Sequence, residues 1–123
     1  MTENQGNCCG GNRLIFSCSG AADVGELADR AARELTREGI GKMFCLTGVG
    51  GNVEPIVEKT ISADSRLVID GCSVACAKKL MDNTGITDYT YLQLNNIGYE
   101  KGKSPVTQEA IDRVVREAKR QYQ

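Results

Sequence analysis

Four short runs rich in branched and aromatic residues, LIFSC (14–18), KMFCL (42–46), RLVID (66–70) and YTYLQL (89–94), alternate with stretches of helical composition. Alternation at this spacing implies right-handed crossovers and a sheet covered by helices. It predicts a single three-layer α/β domain of Rossmann-like type. The sheet is expected to be mostly parallel and four-stranded, in the order 2-1-3-4, with helices on both faces.

The helices carry their own start and stop signals. Asp23 is expected to open the first, with Glu26 three residues on as a capping-box partner, and Gly39 to end it. Val24, Leu27, Ala28, Ala31 and Leu35 form its apolar stripe. TGVGGN (47–52) reads first as a glycine-rich loop whose glycines supply positive φ angles and otherwise as a cradle of backbone amides for an anion, and VEPIVEKTI (53–61) as a short helical segment interrupted near its start by Pro55. Ser73 to Asn83 is helical in composition and stops near Gly85. After a polar loop, NNIGYEKGKS (95–104), the final helix starts at Thr107, with Val106 and Ile111 as a hydrophobic staple. Met1 to Asn12 lacks any apolar period and reads as a flexible arm, leaving residues 13–123 as the domain.

A chain of 123 residues buries roughly two thirds of the surface that its unfolded form exposes, so it needs no disulfides to make up for a missing core. The net charge of -1 argues against nucleic-acid or anionic-membrane partners, and no apolar run approaches the roughly 20 residues that span a bilayer. The polar start, MTENQGNCCGGN, has no signal-peptide core, which gives a cytoplasmic expectation. Thiols stay reduced there. Six cysteines in such a chain point to metal binding or thiol chemistry.

The alternation places those thiols. Cys18, Cys45 and Cys72 fall at the ends of the first three strands, on the carboxyl edge where open parallel sheets form their binding crevice. Cys76 follows Cys72 by four residues, one helical turn on, if a helix starts at Cys72. Each could be a core residue taken alone; together they could meet one soft ion. With no histidine in the chain, a zinc site must be all sulfur, or be completed by Asp, water or a second chain. Four thiolates around Zn²⁺ leave two net negative charges, which call for amide dipoles or a nearby Lys or Arg. Asp70 reads first as a cap or turn residue, and otherwise as an orienting group or base. Gly71 lets the backbone turn closely beside an ion. Ser19, Gly20 and Ala21 could line the crevice, with NNIGYEKGK as a solvated loop or a lid over it. Cys8 and Cys9, in the arm, are incidental thiols or accessories to metal delivery or redox exchange.

The motifs SCSGAADVGELADRAARELTREG, GKMFCLTGVGGN and IDGCSVACAKKLMDNTG, in this order, resemble the DGC domain family, named for the Asp-Gly-Cys found here as Asp70, Gly71 and Cys72. The resemblance covers residues 14–94. It implies four zinc-chelating cysteines, which fall on Cys18, Cys45, Cys72 and Cys76. Two classes of function follow. One is a zinc-binding protein whose closed shell of four sulfurs leaves no position for a reactive water. The other is a thiol or persulfide redox enzyme, or a sulfur carrier, using Cys72 with Cys76 as resolving partner. An iron-sulfur cluster would use the same thiolates. The sequence specifies no protein partner.

Overall fold

Successive residues of the first strand, β1 (Arg13–Ser17), go to opposite sides of the sheet: Leu14 and Phe16 enter one core cluster and Ile15 the other. The computed structural model describes residues 12–122. In β3 (Ser65–Asp70) Val68 joins Leu14 and Phe16, while Leu67 and Ile69 join Ile15. Both faces of these central strands are therefore apolar, as a parallel sheet between two helical layers requires. With β2 (Lys42–Met43) and β4 (Thr90–Gln93) the sheet is four-stranded and parallel throughout, in the expected order β2-β1-β3-β4. Helices α1 (Asp23–Arg37) and α5 (Gln108–Tyr122) cover the Ile15 side. Helices α2 (Leu46–Gly50), α3 (Glu54–Ser62) and α4 (Cys76–Asn83) cover the Phe16 side.

Several punctuation signals act as expected. Gly39 and Gly85 take positive φ, +80° and +86°, just beyond α1 and α4. Thr107 caps α5 through its Oγ1, which accepts from Ala110 N at 3.1 Å, and Val106 packs on the cluster containing Ile111.

The start of α1 differs from the expected capping box. Ala22 is the N-cap and makes no side-chain bond, and Asp23 is the first helical residue. Its carboxylate does accept from Val24 N at 2.8 Å, but it also accepts from Gly102 N and Ser104 N, both at 2.9 Å. An N-terminal acid thus ties down a loop some eighty positions away. Those two loop amides, Gly102 first, hold the Asp23 carboxyl below the usual carboxylate range. A lowered folded pKa contributes stability that is full above the ordinary Asp value, about 3.9, and is lost as pH falls through the folded value. The Gly102 and Ser104 amide NMR shifts should accordingly titrate together with a midpoint below the ordinary Asp value of about 3.9. Midpoints at or above that value would show that the carboxylate is not held.

Two further expectations are corrected. TGVGG does not form a loop: residues 46–50 are helical, with Cys45 at the N-cap. Its glycines serve close approach instead of positive φ, which in this stretch occurs at Asn52 (+58°). A Cβ on Gly48 would lie 2.4 Å from Ile56 Cδ1, and one on Gly50 would lie 2.6 Å from Leu80 Cδ1, so α2 packs on α3 and α4 only without side chains there. The helix after β3 does not begin at Ser73. Ala75 adopts the left-handed conformation (φ 57°, ψ 47°), and α4 starts at Cys76.

Asn12 is held against the domain, donating its N–H to Asp64 Oδ2 at 2.8 Å and accepting from Asp64 N at 2.8 Å. The rest of the expected arm, with Cys8 and Cys9, lies outside the described residues. Among the described residues, no helix is long and apolar enough to cross a membrane.

Candidate functional site

Strand pairing fixes the first sulfur. Ser17 pairs with Ile69, and Cys18 N donates to Ile69 O at 3.0 Å, so Cys18 leaves the sheet beside Asp70. A cavity of about 220 Å³ opens at this edge, lined by Cys18, Cys72 and Cys76 together with Asp70 and Gly71. The Gly20–Ala22 backbone, Val24 and Gly25 form its α1 wall, and Val74 and Lys101 complete it. Three of the four cysteines read from the sequence thus share one cavity. Gly20 and Ala21 also lie where the sequence put them; Ser19 does not line the cavity, and its hydroxyl bonds Asp29 at 2.7 Å.

Cys45 approaches from the neighbouring strand. Phe44 N donates to Ile15 O at 2.9 Å, and the Phe44 ring stands edge-on to Phe16, with centroids 6.2 Å apart, so the chain past β2 is pinned beside β1. Cys45 follows directly, two residues beyond the last paired position, Met43. It is exposed, lies outside the cavity, and its Sγ accepts from Gly48 N at 3.2 Å.

Asp70 is the structural anchor of the site. It is 1% exposed, and its Oδ1 accepts from Ala77 N at 2.9 Å while Oδ2 accepts from Lys78 N at 3.0 Å. These are orphan amides of the first turn of α4, so the carboxylate caps a helix seven residues downstream and fixes Cys76 as its first residue. The Tyr91 hydroxyl donates to the same Oδ2 at 2.8 Å and accepts from Gln93 Nε2 at 3.1 Å. Burial raises the Tyr91 phenol well above its ordinary pKa; the Gln93 bond offsets this in part, and Asp70 adds to it. The cap reading of Asp70 holds, although through tertiary placement. Gly71 abuts α1: a Cβ there would sit 2.7 Å from the Val24 carbonyl carbon.

Because α4 starts at Cys76, the two cysteines of CSVAC are not successive turns of one helix. Cys72 lies in the turn leading out of β3, and the turn brings both residues to the cavity by another route. Burial pushes the Cys18 thiol up, with Asp70 and Cys72 adding to the rise, while the backbone amides of Gly20 and Gly71 oppose it by bonding the sulfur. Cys18 in the free protein is therefore a thiol at neutral pH.

The candidate donor set, Cys18, Cys45, Cys72 and Cys76, is all soft sulfur, which is the chemistry a thiophilic cation requires. Its placement is open: among the described residues, no three Cys, Asp or Glu side chains stand close enough to hold one ion as they lie. Cys45 and Cys76 are exposed, Cys72 sits in the turn after β3, and Cys18 is partly buried. Sequence reasoning missed Tyr91 and Gln93, which reach the site only through tertiary folding and carry no local signal, whereas Lys101 comes from NNIGYEKGK, the loop read as solvated or as a lid over the crevice.

The fold and its edge of cysteines define a class, and the chain belongs to it: the DGC domain family, whose model matches residues 14–118. Within the curated proteins, the chain is 33% identical over 88 residues to the "Anaerobic and virulence modulator AnvM" of Pseudomonas aeruginosa, a match covering 72% of this chain and 67% of that protein. No solved structure matches the chain.

Proposed function

We propose that this chain is a small cytoplasmic metal-binding module that takes one zinc ion through Cys18, Cys45, Cys72 and Cys76 at the carboxyl edge of its sheet. The observation that carries the reading is the convergence of three of these cysteines on one cavity, with the fourth at the end of the adjacent strand. Cys18, partly buried at the end of β1, would be the innermost ligand. Cys45 would exchange its cap on Gly48 for the ion, and Cys72 and Cys76 would turn inward. Zinc bound by four sulfurs supplies structural cross-linking or cargo rather than an activated water. The ion would tie β1, β2 and β3 together at their ends.

Protein purified without oxygen should contain about one zinc per chain. Cys18→Ser and Cys72→Ser should each lower both metal content and melting temperature. Metal-free protein that melts no lower than the purified form would count against the reading, and visible absorbance of fresh anaerobic protein would reveal an iron-sulfur cluster instead.

A second reading is favoured by the dispersal of the sulfurs and by the exposure of Cys45 and Cys76. It is a thiol or persulfide function on Cys72 and Cys76, which line the same cavity. A persulfide on Cys72 would be resolved by the Cys76 thiolate attacking its inner sulfur. The Cys72–Cys76 disulfide then forms and hydrosulfide leaves with the bonding pair. AnvM is named as an anaerobic modulator, and thiols open to oxidation when free of metal suit a role conditioned by oxygen. Rapid alkylation of Cys72 in native protein supports this second reading; protection of all four thiols supports the first.

A further inference from the structure

Lys101 lines the cysteine cavity although it lies 25 residues beyond Cys76 in the chain. The Asp23 carboxylate puts it there, by bonding the amides of Gly102 and Ser104 on either side of Lys103 and so docking the loop against the first turn of α1. Among the described residues, Lys101 enters no ion pair, and the neighbouring Lys103 pairs with Glu100. Among the described residues, two charged side chains line the cavity, Lys101 and Asp70. The Asp70 carboxylate is engaged by Ala77 N, Lys78 N and the Tyr91 hydroxyl, which leaves the ammonium as the uncommitted charge. Ala21, Ala22, Val24 and Val74 form apolar walls. At about 30 Å³ for each water-sized unit, the space holds a molecule of several non-hydrogen atoms.

We propose that this cavity binds a small anion with a thiol-reactive or sulfur-centred end, its charge met by Lys101 and its reactive end by the Cys72 thiol. The proposal extends the second reading above and rests on cavity thiols that small molecules can reach.

Iodoacetate and iodoacetamide test it, because they differ by one charge and react alike: the cysteine sulfur bonds the methylene carbon, and iodide leaves with the bonding pair. Cys45, outside the cavity, is the internal reference in the same chain. Peptide-resolved mass spectrometry on the native protein should give an iodoacetate-to-iodoacetamide rate ratio about fivefold higher at Cys72 than at Cys45, the scale of one charge pair at contact distance in water. Lys101→Gln should remove the difference, Lys101→Arg should retain it, and 1 M salt should shrink it. Equal ratios in the wild type, or a difference that survives Lys101→Gln, would overturn the proposal while leaving the thiol reading standing. If iodoacetamide does not modify native Cys72, the thiol reading itself fails, and a ¹⁵N NMR titration with thiosulfate decides the anion question separately. Saturable shifts of the Gly20, Gly71 and Gly102 amides that vanish in Lys101→Gln support the proposal; their absence in the wild type refutes it.

Discussion

Asp70→Ala should lower the unfolding free energy by about 3 kcal/mol, since each buried donor left without an acceptor costs about 1–3 kcal/mol. Three donors lose theirs: Ala77 N, Lys78 N and the Tyr91 hydroxyl. Relaxation of the first turn of α4 toward water recovers part of that sum, which is why the expected loss sits near the cost of one or two orphaned donors. Asp70→Asn keeps one acceptor oxygen but turns an amide against a remaining donor, so it should fall between wild type and Asp70→Ala. Tyr91→Phe removes only the hydroxyl and should cost about 1 kcal/mol. Urea unfolding read at unchanged m value measures each change. The functional corollary is local: faster exchange of the Ala77 and Lys78 amides in Asp70→Asn would show that the carboxylate fixes the helix turn that begins with Cys76. An Asp70→Ala loss under 1 kcal/mol would contradict the anchoring role.

Arg66 should be at least as costly a site. It is buried, and its guanidinium donates from Nε to Thr60 O at 2.7 Å, from Nη1 to Asp88 O at 3.0 Å, and from Nη2 to Ile61 O at 2.7 Å and Ala63 O at 3.1 Å. These carbonyls include the C-terminal end of α3, where a positive charge is favoured, and one from the segment entering β4. One planar group thus joins α3, β3 and the β4 approach, and among the described residues it has no carboxylate partner. Arg66→Ala should cost about 3–4 kcal/mol, given about 1.5–3 kcal/mol for hydrogen bonds to charged groups and the carbonyls left facing a void. Arg66→Lys should recover less than half of this, because a single ammonium cannot reach all four oxygens. Equal stability of Arg66→Lys and wild type would show that charge, not the fork of donors, matters here.

The contrast between these residues shows what local pattern can carry. Strand order, the two helical layers and the delivery of Cys18 and Cys72 to one edge follow from period and alternation, which are properties of contiguous sequence. Arg66 heads the RLVID run and looks like the polar first residue of a strand; its burial depends on carbonyls from two other segments. Asp23 looks like a cap because acids favour helix starts, yet its main partners lie on a distant loop. The glycines of TGVGG suggest a loop until Ile56 and Leu80 are brought against them. CSVAC suggested one helical face for two sulfurs, but the Asp70 carboxylate delays the helix start to Cys76 and Ala75 takes the left-handed bend. Both sulfurs reach the cavity even so.

X-ray absorption at the zinc edge of protein purified without oxygen tests the central claim most directly. The expected result is a first shell of four sulfurs at about 2.3 Å, falling to three in Cys45→Ser, the variant of the one ligand that must leave its present cap. A shell dominated by oxygen or nitrogen, or zinc retained with an unchanged shell when Cys45 is replaced, would contradict it.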